Sequence, residues 1–146
     1  MRKLSLIGTL ASEINSKLCS VWDINNHFWY PLYDCVRDDL ISFDKDCIFN
    51  DEKLIFIKNV LICHGVSKLY EVREFDYSYE IDSIANYDFW NSEPHMREIY
   101  WFDDNMDWII YLSHDGTITF GGQWFIDKLK DEWSDWKGYL LYDTKN

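Results

Sequence analysis

Leu6, Leu10, Ile14 and Leu18 recur at every fourth position, and this stripe predicts a first helix over Ser5 to Ser20. Thr9 or Ser12 can cap it. The basic residues ahead of it oppose the helix dipole, which moves its start to after Gly8. Asp23 to Asn26 interrupts the pattern. His27 to Tyr33 crowds aromatics around Pro31, which removes a ladder donor and marks a loop or a strand edge. Arg37 to Asp51 is acidic and mixed, so mostly loop with one short element is expected there. From Asn50 to Cys63 the end signals favour a helix: Asn50 as cap, Asp51 and Glu52 in the first turn, Gly65 beyond the end. Leu54, Ile57, Leu61 and His64 would share one face, although the β-branched content of this run argues for a strand.

The period then changes to two. Lys68 to Asp82 alternates as one strand with a mixed, exposed face. Ser83 to Pro94 has loop composition. Arg97 to Phe102, Asp107 to Leu112 and Thr117 to Phe120 follow as short strands with turn-sized links. Ser113-His114-Asp115-Gly116 makes the last of these pairs a hairpin. Gly121-Gly122 stops it, and Phe125, Leu129 and Trp133 begin a helix spanning Gln123 to Trp136. Gly138 ends that helix, and Tyr139 to Tyr142 adds a last short strand. The expected class is α+β: an antiparallel meander packed by the C-terminal amphipathic helix and an N-terminal helical region. Residues 1–146 are expected to form a single globular domain.

Composition adds two facts. Of 146 residues, 27 are aromatic, a load that a disordered chain lacks. The net charge is −12, and it is unevenly spread. Glu71 to Asp107 holds eleven acids against Arg73 and Arg97, and Asp34 to Glu52 holds seven against Arg37 and Lys45. A surface of this sign repels nucleic acid and anionic membranes and attracts basic proteins; plain solubility is the simpler use of the same charge. The start MRKLSLIGTL lacks the apolar length and cleavage site of a signal peptide, and no run is long enough to span a bilayer. Cys19, Cys35, Cys47 and Cys63 stand 12 to 16 residues apart, which fits neither a zinc site nor a disulfide framework. Reduced, mostly buried thiols and a cytoplasmic location are the expectation.

The chain carries no catalytic signature. Ser113-His114-Asp115 has the letters of a hydrolase triad, but adjacent strand residues point to opposite faces, and Asp115-Gly116 is turn chemistry. Asp44-Lys45-Asp46 with Asn50 and Glu52 fails as a calcium loop: Ile48 stands where an oxygen ligand is needed, and the sharp-turn glycine is missing. His27, His64, His95 and His114 are isolated; a metal site from Glu93, His95 and Glu98 is open to assembly in space, but their spacing does not require one. Gly121-Gly122 lacks the remaining residues of a phosphate loop. Neither cofactor nor metal is expected, and the enzyme class has no named residues.

Binding has more support, because acidic patches steer association and aromatic side chains serve as interface anchors. Tyr100 to Asp104 and Trp108 to Gly122, in a small acidic chain rich in Trp and Tyr, resemble the immunity proteins of bacterial polymorphic-toxin and contact-dependent-inhibition systems. The resemblance covers under a third of the chain and implies tight, stoichiometric binding of a cognate basic toxin domain, often a nuclease, with no binding residues carried over. From charge and aromatics, the candidate partner-binding residues are Glu74, Asp76, Tyr77, Tyr79, Glu80, Asp82, Tyr87, Asp88 and Trp90. The alternatives are an enzyme or small-ligand binder with a pocket between helix and sheet, and an acidic mimic of nucleic acid.

Overall fold

Alternation along the two most apolar strands explains the architecture. In the computed structural model, which describes residues 3–24, 36–73, 78–89 and 98–145, the strand Ile99–Phe102 sends Ile99 and Trp101 into one core and Tyr100 and Phe102 into another. Ile109–Leu112 divides in the same way, with Ile110 on the first side and Ile109 and Tyr111 on the second. A strand buried on both faces reads as a continuous apolar run, and both of its faces need cover.

Among the described residues the sheet has eight strands, all paired antiparallel. In chain order they are β1 Lys3–Leu6, β2 Leu40–Asp44, β3 Leu69–Arg73, β4 Ser78–Ile81, β5 Ile99–Phe102, β6 Ile109–Leu112, β7 Thr117–Gly121 and β8 Leu140–Asp143. Across the sheet the order is β1-β4-β3-β5-β6-β7-β2-β8. Among the described residues β5-β6-β7 forms a simple meander, and β1, β2 and β8 join the sheet out of chain order. The helices are α1 Gly8–Trp22, the single turn α2 Lys45–Ile48, α3 Asp51–Cys63 and α4 Gln123–Glu132. Ile14, Leu18 and Trp22 of α1 join the core on one face, and Ile57 and Leu61 of α3 with Phe125, Ile126 and Leu129 of α4 join the core on the other.

Several expectations change. A strand, β1, precedes α1, and the helix starts without a side-chain cap after Ile7. Its buried stripe is Ile14, Leu18 and Trp22, whereas Leu10 is 48% exposed. Asp23 takes a left-handed conformation (φ 54°) and ends the helix. The stretch read as mostly loop contains β2, whose LISFD is buried over four of its five positions. Lys68 to Asp82 is two strands, β3 and β4, and their shared register places Glu71 opposite Tyr79. The C-terminal helix stops at Glu132; Trp136–Tyr139 is a separate 3₁₀ turn. Cys47 and Cys63 are exposed and Cys19 is half-buried, so the described thiols are free but not mostly buried. The aromatic cluster His27 to Tyr33 lies outside the described residues.

The helix reading of Asn50 to Cys63 matches the structure. Asn50 Oδ1 accepts from Lys53 N (2.9 Å), and Gly65 follows the end at φ 97°. The β7–α4 junction needs both of its glycines. A Cβ on Gly121 would meet Ile109, Trp22 and Leu40 at 2.6–2.9 Å, and one on Gly122 would stand 2.4 Å from the Asp107 carbonyl oxygen. Gly122 also has φ 105°, a region side-chain-bearing residues rarely enter.

Candidate functional site

The acidic, aromatic segment does not behave as one surface. Glu74, Asp76, Tyr77 and Trp90 lie outside the described residues. Tyr79 and Glu80 are half-buried: the Lys3 ammonium sits 4.5 Å and the Arg73 guanidinium 5.0 Å from the Tyr79 ring centre, and Glu80 pairs with Lys68 at 3.6 Å. Asp82 and Asp88 are exposed. Tyr87 is 3% exposed and belongs to the core, which removes it as an interface anchor. The physical reason is Glu71.

Glu71 was expected on an exposed face, yet it is fully buried. Its position on β3 points it to the same side as Trp101 of β5, under the 3₁₀ turn Ile84–Asn86 and the residues that follow it. The Tyr87 hydroxyl and the Trp101 indole N–H (3.0 Å) both donate to Oε1, while Lys3 Nζ (3.0 Å) and Arg73 Nε (2.6 Å) bind Oε2. Burial pushes this carboxyl up, but the Tyr87 hydroxyl and the Lys3 and Arg73 charges outweigh it and hold the group below the ordinary carboxylate range. Four donors on two oxygens make this a satisfied structural ion, the condition under which a buried charge is tolerated. Its negative charge is unavailable for steering.

A second buried carboxylate lies at the start of β5. Glu98 accepts from the Tyr111 hydroxyl through Oε2, and its Oε1 lies 2.7 Å from His114 Nδ1. Tyr111 stacks on Tyr100 at 4.7 Å. His114 therefore belongs to Glu98, and the adjacent Ser113 is used within its own turn: Ser113 Oγ accepts from the Asp115 and Thr117 backbone N–H groups. Gly116 has φ 85°, which fits the turn reading of these letters. Among the described residues no group of three or more His, Cys, Asp or Glu is placed to hold a metal.

Concave surface occurs on both flanks of α3. Between α3 and the Ala85–Phe89 stretch lies a groove of about 360 Å³, lined by Leu54, Ile55, Lys58 and Asn59 and carrying Asp51 and Asp88 on its walls. Between α3 and α4 lies a more apolar hollow of about 370 Å³, walled by Phe56, Val60 and Trp124. Here the His64 ring stacks on Trp124 (3.5 Å between centres, 10° between planes), and its Nε2 lies 2.7 Å from Asp107 Oδ2. The Trp124 indole N–H donates to the Asp107 carbonyl at 2.7 Å, so one residue fixes both rings. A smaller hollow of about 270 Å³ at the C-terminal end of α4 has Glu52, Glu132 and Asp135 around Phe56 and Trp133.

Of the four α3-region residues expected to share one face, Ile57 and Leu61 are buried, whereas Leu54 is half-buried and His64 is exposed. Among the described residues every tryptophan is buried or half-buried, so the aromatic excess mostly fills the two cores. No protein-family model matches the chain, and searches of curated proteins and of solved structures return no significant match. The described helices include none long and apolar enough to cross a membrane.

Proposed function

We propose that this chain is a non-catalytic binding protein that neutralises a basic protein partner, and that the partner is a cognate bacterial toxin domain of the nuclease type. One observation carries the reading. Two acidic stretches far apart in sequence, 34–52 and 71–107, meet across one groove, with Asp51 on one wall and Asp88 on the other. Glu52 and Asp82 are exposed nearby in sequence and add to the same sign. Carboxylates gathered from separate segments around a concave surface attract a basic partner and raise its encounter rate. The buried carboxylates Glu71 and Glu98 serve the fold, and the field for capture comes from the exposed acids.

The test uses the toxin-like reading frame that this reading expects beside the gene. Its catalytic domain, inactivated at its own active site, should form a one-to-one complex whose association slows as salt rises. Asp82→Lys with Asp88→Lys should slow association about tenfold or more at low salt, the range over which steering acts. An unchanged on-rate would remove electrostatic capture through this segment.

A further inference from the structure

We infer that the outer face of α3 is the docking surface, and that it receives a basic segment presenting apolar side chains. The inference rests on the proposed binding function and deepens it by naming where the partner sits. At 3.6 residues per turn, Ile55, Asn59 and Ile62 fall within about 60° of arc, opposite the buried Ile57 and Leu61. Ile55 is 60% exposed and Ile62 39%. A helix of this kind ordinarily turns a polar face to water, and clustered exposed apolar side chains mark an interaction site.

The surroundings give the ridge a shape and a sign. Leu54 and Lys58 face the groove toward residues 85–89, Phe56 and Val60 face the hollow toward α4, and Asn59 lines both. The ridge therefore stands between two concavities, an apolar centre with a polar rim, as protein interfaces are built. At its N-terminal end Asp51 and Glu52 diverge to the two sides, Asp51 into the first groove and Glu52 into the hollow that also holds Glu132 and Asp135. Lysines line these concavities too: Lys58 Nζ donates to the Ala85 carbonyl across the groove, Lys53 Nζ lies over the Tyr139 and Trp133 rings at 5.2 and 5.9 Å, and Lys128 edges the α3–α4 hollow. Asp51, Asp88, Glu52, Glu132 and Asp135 outnumber these lysines, and the balance selects a basic occupant over an acidic one or a second copy of this −12 chain.

The probe is a synthetic helical peptide with leucine along one face and lysine on the others, titrated into the full chain. Amide shifts should concentrate on residues 51–63 and on the facing Ala85–Phe89 and Trp124–Lys128. Ile55→Lys with Ile62→Lys should weaken binding about tenfold or more, the loss expected of central apolar anchors; because Ile62 is only 39% exposed, the single variant Ile55→Lys, at a side chain 60% exposed, should weaken binding with the thermal midpoint unchanged. Leu4→Lys with Leu10→Lys, an equally exposed apolar pair at the other side of the sheet, should leave the affinity as it is. No saturable binding, shifts centred elsewhere, or equal weakening by both double variants would overturn the inference. The toxin domain separates the two claims. If it binds and the isoleucine variant binds it equally well, the surface is wrong and the function stands. If the peptide docks on α3 and the toxin domain does not bind, the function is wrong and the surface stands.

Discussion

Glu71 is the residue whose environment departs furthest from its sequence neighbourhood. It lies in the most acidic part of the chain, yet Lys3, Arg73, Tyr87 and Trp101 all bind it. Glu71→Ala would remove the acceptor that Tyr87, Trp101, Lys3 and Arg73 share, and removing one side of such a buried set costs about 3–5 kcal/mol. Chemical denaturation of the variant measures this loss. The charge itself also has a pH signature. A carboxyl held below its unfolded-state value contributes stability that is fully present above the ordinary carboxylate range and is lost as pH falls through the folded value. Denaturation midpoints recorded downward from neutral pH should therefore decline in the acid range, and Glu71→Gln should flatten that limb. A variant with the same acid dependence as the parent would show that other carboxylates control it.

Among elements, the β7–α4 junction supplies the sharpest contrast. Gly122→Ala must place a methyl 2.4 Å from a backbone oxygen at φ 105°, whereas Gly116→Ala at φ 85° meets nothing within 4 Å. The first should cost upward of about 3 kcal/mol and the second about 1 kcal/mol, because strain and clash add in one case and strain acts alone in the other. Urea midpoints of the two variants rank them; equal losses would mean that the junction relaxes. The same elements show what was legible beforehand. Hairpin β6–β7 and helix α3 carry their own end signals, in Gly116 and in Asn50, and local chemistry suffices to find them. β1 and β2 carry none. KLSL and LISFD become strands because β4 and β7 offer them an edge, an interaction that no window of sequence contains. For the site, Asp82 and Asp88 are exposed, whereas Tyr87 is buried, since its hydroxyl bonds across sixteen residues of sequence to Glu71. Ile55 and Ile62 carry no sign of their exposure in sequence, because which side of an apolar helix is covered depends on the sheet beneath it.

At the scale of the whole molecule, the sheet sorts its chemistry by depth. Aromatics fill two cores, buried carboxylates tie strands together, and the exposed acids remain at the surface, with the α3 rim among them. Binding through such a surface should be fast and salt-sensitive on arrival, with the stay set by the apolar ridge. Stopped-flow traces at several salt concentrations separate the two: charge variants should move the association rate, and isoleucine variants the dissociation rate. Both classes of variant acting on the same rate would contradict that division.

The position of β2 has a temporal side. Residues 40–44 lie between β7 and β8, so they find their neighbours only after residues 117–121 and 140–143 have left the ribosome. During synthesis LISFD waits, apolar and unpaired, for more than half the chain. Such distant pairings make folding slow, in the millisecond-to-second range, and leave a sticky strand open meanwhile. A newly made copy is therefore not yet a finished fold: β2 stays open on one side until residues 140–143 pair with it. For the neutralising role proposed above, slow completion of the sheet means that the chain would have to be made ahead of need.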